Sequence, residues 1–145
     1  MKIPDQLVVT RVFDASPQRI WDAFTDPDQL HKFFGPPGTK IPREEVTMDV
    51  RVGGEFSLKM HNQENGEIYP MDAEYVILDE PTKIQFKTSS GIEGTIELED
   101  LGMLGKTLLT WTTVAEFNES FYAGAVIGTH GAVDHLQELL AAPAV

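Results

Sequence analysis

From about Arg43 onward the apolar residues recur at every second position, in six successive runs separated by short segments rich in Gly, Asn, Pro and Asp. "EVTMDVRV" carries Val46, Met48 and Val50 on one face, Gly53-Gly54 turns the chain, and Phe56, Leu58 and Met60 alternate in the next run. Asn65-Gly66 marks another turn before Tyr69, Met71, Ala73, Tyr75 and Ile77, and Pro70 predicts an edge or bulge at the start of that strand. "DEPTK" leads into "KIQFKTS", "SSG" into "IEGTIELED", and "LGMLGK" into "KTLLTWTTVAEF". Connections this short cannot hold a crossover helix, so parallel βαβ units are excluded and an antiparallel meander is expected. In the last run alternation sets Leu109, Trp111 and Thr113 on one side and Leu108, Thr110 and Thr112 on the other. Trp111 is expected to face the interior.

Helical spacing flanks the meander on both sides. After a β-branched strand at 6–14, Ser16 can cap, Pro17 suits a first helical position, and Ile20, Trp21 and Phe24 share a face. Thr25-Asp26-Pro27 breaks that helix and starts a second, with Leu30, Phe33 and Phe34 at i, i+3, i+4. Gly35-Pro36-Pro37-Gly38 stops it at once. Two rings at the end of so short a helix must bury against something; Phe33 is expected in the core and Phe34 on the wall of a cavity. The last helix is expected from about Asn118 to Ala142, with Phe121, Ala125, Ala132, Leu136, Leu139 and Leu140 in a stripe. Its first half holds Gly124, Gly128 and Gly131, each costing a helix about 1 kcal/mol relative to Ala. Close packing of the helix backbone would explain them, and so would a helix spanning a cavity.

Composition narrows the partners. Acidic residues outnumber Lys and Arg by 23 to 11, a formal net charge of −12, so a phosphate backbone or anionic membrane surface would be repelled. There is no cysteine, hence no disulfide and no thiolate metal site. The first residues lack the pattern of a signal peptide and no apolar run has membrane-spanning length, so a cytoplasmic protein without membrane insertion is expected. At 145 residues the chain, residues 1–145, is read as one domain.

The stretches "VFDASPQRIWDAFTDPDQLHKFFGPPG", "VTMDVRVGGEFSLKM", "NGEIYPMDAEYVILDEPTKIQFKT" and "GTHGAVDHLQELL" resemble, in that order, the START-like (SRPBCC) superfamily. More narrowly, they resemble the family named after the C-terminal domain of the activator of the heat-shock-protein-90 ATPase. The resemblance implies an α+β helix-grip fold: a curved antiparallel sheet of about seven strands around a long C-terminal helix, with two short helices after the first strand. It also implies relatives of many functions. In the family the aromatic pair at Phe33-Phe34 is usually Trp-Trp, and Trp often stands at the position of Thr129.

The residues themselves offer little catalytic chemistry. His31, His61, His130 and His135 make no metal-binding pair, Ser57, Ser89, Ser90 and Ser120 lack a nucleophile-elbow setting, and Gly53-Gly54 precedes a strand instead of a helix. No metal or cofactor is expected. The expected cavity wall comprises Phe34, Phe56, Leu58, Met60, Tyr69, Met71, Tyr75 and Trp111 from the short helices and strands, and Phe121, Ala125 and Thr129 from the long helix. Tyr69, Tyr75, Thr129 and His130 are the polar groups expected to orient a ligand within an otherwise apolar lining.

Three functions fit. A binding module for a small hydrophobic or aromatic molecule, lipid included, stands first. An enzyme of cyclase or hydrolase type in the same pocket stands second and would need an acid–base pair, for which only Tyr and His130 are on offer. A co-chaperone of the heat-shock-protein-90 ATPase, as the family's name implies, stands third, because two-domain activators carry a further N-terminal domain. A homodimer is left open.

Overall fold

The computed structural model describes residues 5–102 and 105–141; Ala142, at the expected end of the last helix, lies outside them. The elements are β1 (Gln6–Phe13), α1 (Pro17–Thr25), α2 (Pro27–Leu30), β2 (Thr39–Lys40), β3 (Thr47–Met48), β4 (Glu55–Asn62), β5 (Ile68–Asp79), β6 (Lys83–Thr88), β7 (Glu93–Asp100), β8 (Thr107–Val114) and α3 (Glu119–Ala141). All pairings are antiparallel, in the order β1-β8-β7-β6-β5-β4-β2, with β3 also on β4. The first strand therefore lies beside the last, Val9 opposite Trp111. The sheet curls into a half-barrel with α3 on its concave side, which is the α+β helix-grip fold.

Local chemistry sets the helix boundaries as the spacing predicts. The Ser16 hydroxyl accepts a hydrogen bond from the Arg19 amide at 3.1 Å, with Pro17 opening α1. The Asp26 carboxylate, just beyond α1, accepts from the Asp28 amide at 3.0 Å and starts α2. Ile20, Trp21, Phe24 and Leu30 are buried, and Phe33 packs edge-on against Phe24 with centroids 5.1 Å apart. Such a pair adds about 0.5–1.5 kcal/mol to the burial itself.

One expected strand is largely lost. Of the run around Val46, Met48 and Val50, only Thr47–Met48 pairs, against Ser57 and Phe56 of β4. Arg43–Glu45 is a 3-10 turn before it. After it, the Gly53 amide donates to the Tyr75 carbonyl at 2.8 Å, which draws the chain toward β5 and leaves Val50 and Val52 exposed. A side chain at Gly54 would put its Cβ 2.0 Å from the Asp49 carbonyl oxygen, so only glycine closes this loop. Pro70 does sit at a local edge. The Asp72 carbonyl accepts from the Ser89 amide, so the nitrogen of Pro70, two residues away, points the same way. It points past the end of β6, whose pairing with β5 begins at Ala73 opposite Thr88. The bulge lies farther on, between Tyr75 and Ile77.

The long helix is buried, and tied to β1, in its second half. Its buried residues are Gly131, Ala132, Val133 and Leu136, and Arg11 of β1 ties the same half down through Asp134 at 2.8 Å and Gln137 at 2.7 Å. The glycines divide along the helix. A Cβ at Gly131 would lie 2.4 and 2.5 Å from Cγ and Cδ of Pro37, and one at Gly128 would lie 3.2 Å from Cβ of Pro36. A Cβ at Gly124 would meet nothing within 4 Å. Close packing thus explains Gly131 and Gly128, and open space surrounds Gly124.

Opposite signs are expected for two matched substitutions, read as equilibrium urea unfolding. Gly124→Ala should stabilise by up to about 1 kcal/mol, the helix-propensity gain. Gly131→Ala should destabilise, because overpacking against a fixed proline ring costs about 1–3 kcal/mol and exceeds that gain. Stabilisation by both would show that the proline contact does not constrain the helix.

Candidate functional site

The proline turn and the early end of β6 leave space on the concave side of the sheet, under the first half of α3. Two adjoining clefts lie there. One, of about 360 Å³, separates the helix from the sheet and is lined by Phe34, Pro36, Met60, Met71, Trp111, Thr113, Phe121, Gly124, Ala125, Gly128, Thr129 and Ala132. The other, of about 440 Å³, reaches toward the β6–β7 turn and adds Pro70, Asp72, Phe86, Thr88, Ser89, Ser90, Ile92 and Gly94. Both share Phe34, Met60, Met71, Trp111, Thr113 and Thr129. A depression of about 480 Å³ is larger; it shares Asp72, Thr88 and Ser89 with the second cleft and is lined besides by Glu55, Ser57, Ala73, Glu74, Val76 and Lys87. Four charged residues, Glu55, Asp72, Glu74 and Lys87, set it apart from the mostly apolar walls of a small-molecule site.

Aromatic packing shapes the shared wall. The Phe34 ring lies 5.6 Å from Trp111, 5.5 Å from Phe56 and 6.2 Å from Phe86, measured between centroids. Phe86 lies across Gly94 of the neighbouring strand, where a Cβ would come within 2.4 Å of its Cζ. Glycine inside a strand here serves a close approach, and it frees Phe86 to form the cleft wall.

Of the expected wall, the structure brings together Phe34, Met60, Met71, Trp111, Phe121, Ala125 and Thr129. Phe121 stands at the mouth, 40% exposed. The others are placed differently. Phe56 and Leu58 are buried in the core beneath the wall. Tyr75 is buried too, stacked on Phe56 at 5.3 Å. Burial pushes its phenol well above the ordinary tyrosine pKa, and its hydroxyl has no hydrogen-bond partner among the described residues. Tyr69 shares the alternation of Met71 but lies at the end of β5, past the reach of the helices; it is exposed and its hydroxyl donates to Glu67. His130 is exposed and lines neither cleft, since the next residue along α3 from Thr129 faces away from the sheet.

Sequence reasoning missed Phe86, Ile92, Gly94, Thr113 and the prolines as lining residues. The signal for Phe86 was present in the glycine of "IEGTIELED", which marks a close approach inside a strand. Among the described residues no group of His, Asp and Glu is arranged to hold a metal ion, and no helix is long and apolar enough to cross a membrane.

Residues 14–141 match the model of the family described as Activator of Hsp90 ATPase homolog 1-like protein. The chain belongs to this family. Its fold family is one of ligand-binding domains. A search of curated proteins finds no match. Among solved structures, a protein from Chromobacterium violaceum is similar at 23% identity and a TM-score of 0.84, covering 94% of this chain and 97% of that one. A protein from Mycobacterium smegmatis is similar at 26% identity and 0.79, covering 94% and 90%. The AHSA1 protein from Silicibacter pomeroyi is similar at 18% identity and 0.80, covering 94% and 97%. Likeness at such identities carries the fold.

Two expectations follow for this member of the Activator of Hsp90 ATPase homolog 1-like family. Thr129→Trp, which supplies the ring that the resemblance implies at that position, should fill the shared part of the clefts and abolish uptake of the neutral dye Nile red with little change in melting temperature. A loss of about 1–3 kcal/mol in the variant, with no dye uptake by the parent, would mean the space is closed in solution. Tyr75→Phe should leave dye uptake unchanged and hold or raise the melting temperature, because it removes a buried hydroxyl that has no partner. A fall in uptake would return Tyr75 to the site.

Proposed function

We propose that this protein holds a small hydrophobic or aromatic molecule in the joined clefts between the sheet and the first half of α3. The observation that carries the reading is an apolar cleft left open between the sheet and the helix. Volumes of about 360 and 440 Å³, open to solvent, border Phe34, Met60, Met71 and Trp111. Spaces of roughly 300–1,000 Å³ with apolar walls and a few polar groups are the usual small-molecule sites. The helix above supports the same reading, since α3 has no buried residue before Gly131 among those described.

Catalysis in the clefts has weaker support. Asp72 is the one ionisable residue among the described residues lining either cleft, and acid–base turnover calls for a positioned partner. The co-chaperone reading has the family's name behind it and no feature of the clefts.

Native mass spectrometry of the protein purified under mild conditions tests the proposal. The expected result is a population carrying a bound organic molecule that is lost in the Thr129→Trp variant. A bare mass together with no uptake from a library of small aromatic compounds would overturn it.

A further inference from the structure

The clefts carry a polarity as well as a shape. Among the described residues no Lys, Arg or His lines either of them, and the whole chain has a formal net charge of −12. Asp72 belongs by strand alternation to the outward face, between Met71 and Ala73, and is exposed. The cleft walls therefore offer neither a cation for an anionic ligand nor a carboxylate aimed inward at a cationic one.

What they offer is hydroxyls. Thr88 is already engaged: its Oγ1 lies 2.9 Å from the Ser90 hydroxyl and accepts from the Ile92 amide at 3.0 Å. Thr113 on β8 and Thr129 on α3 are different. They line both clefts from two facing elements. Neither hydroxyl makes a hydrogen bond among the described residues, whereas Thr25, also in a helix, bonds back to the Trp21 carbonyl at 2.9 Å.

We infer that the occupant is an uncharged molecule, an apolar or aromatic body with one neutral oxygen group such as a ketone or hydroxyl, which Thr113 and Thr129 bind where the clefts meet. The inference rests on the proposed binding function and narrows its ligand class. A carboxylate of the same shape is rejected because its charge would lose water and gain no cation, and an unpaired buried charge is far costlier than an unpaired neutral group. Hydroxyls suit a neutral oxygen, since threonine can donate to a ketone and either donate to or accept from an alcohol.

Calorimetric titration at neutral pH with four matched probes tests this: naphthalene, acetylnaphthalene, naphthoate and naphthylmethylamine. Acetylnaphthalene is expected to bind tightest, with naphthoate weaker by more than about tenfold. In Thr113→Val/Thr129→Val, nearly isosteric with the parent, the ratio of acetylnaphthalene to naphthalene affinity should fall by about three- to tenfold, as for loss of a neutral hydrogen bond. Restoring hydroxyls in Thr113→Ser/Thr129→Ser should recover that ratio. Naphthoate or naphthylmethylamine binding as tightly as the ketone, or an unchanged ratio in the valine variant, would overturn the inference while leaving the binding function standing. No binding of any probe, naphthalene included, would overturn both.

Discussion

The contact on which the rest of this molecule depends is that of two prolines with two glycines. Pro36 and Pro37, in the turn that ends α2, approach α3 at Gly128 and Gly131 so closely that no Cβ fits at Gly131. A proline ring is rigid, with φ fixed and no side-chain freedom to give way, so this contact sets how near the helix can come to the short helices. Beyond it, toward the C-terminus, α3 buries Ala132, Val133 and Leu136 and is tied to Arg11. Before it, toward the N-terminus, the helix passes over open space. The same turn that brakes the helix also directs Phe34 into the wall beneath it, so the shape of the clefts and the anchoring of their roof share one origin.

A roof anchored at one end must still be held at the other. The chain does this with a small aromatic cluster at the edge of the main core: Phe117 lies 4.9 Å from Phe121 and 5.2 Å from Tyr122. The Asn118 side chain accepts from the Phe121 amide at 2.8 Å. These contacts fix the start of α3 without filling the space below it. Few buried apolar contacts and exposed helical hydrogen bonds mark the parts of a protein that open at low free-energy cost. The first half of α3 has that character, and it lies over the cleft mouth beside Phe121.

The fold was legible in the chain because its signals are local and agree with one another. Alternation in six runs, the caps at Ser16 and Asp26 and the stripe on α3 each act over a few residues, and all favour the same architecture. The short strand at Thr47–Met48 was overestimated because its fate depends on a distant bond from Gly53 to the Tyr75 carbonyl, which no local pattern records. The site was legible in part for a related reason. Alternation shows which face a residue takes, and Met60, Met71 and Trp111 follow from it. It does not show how far along a strand the covering helices reach, which separates exposed Tyr69 from Met71. Nor does it separate a second layer, which is why Phe56, Leu58 and Tyr75 were expected at a surface they lie beneath. His130 failed on rotation, one residue past Thr129 on the helix.

The three helical glycines weigh about 1 kcal/mol each against α3, and the proline contact accounts for two of them. Gly124 has no such contact, so its cost is not offset by packing in the unoccupied protein. A molecule bound in the cleft would supply the missing term. Anything that binds only the folded state stabilises it in proportion to the logarithm of its concentration over its dissociation constant, and atoms filling the cleft would touch the helix where Gly124 leaves it bare. Threonine at position 129 acts in the same direction. A tryptophan there would supply apolar contact from within the chain, whereas threonine leaves room and a hydroxyl. Helix and sheet in this protein are thus short of contact at one place, and that place is where a ligand of the right size would complete the packing.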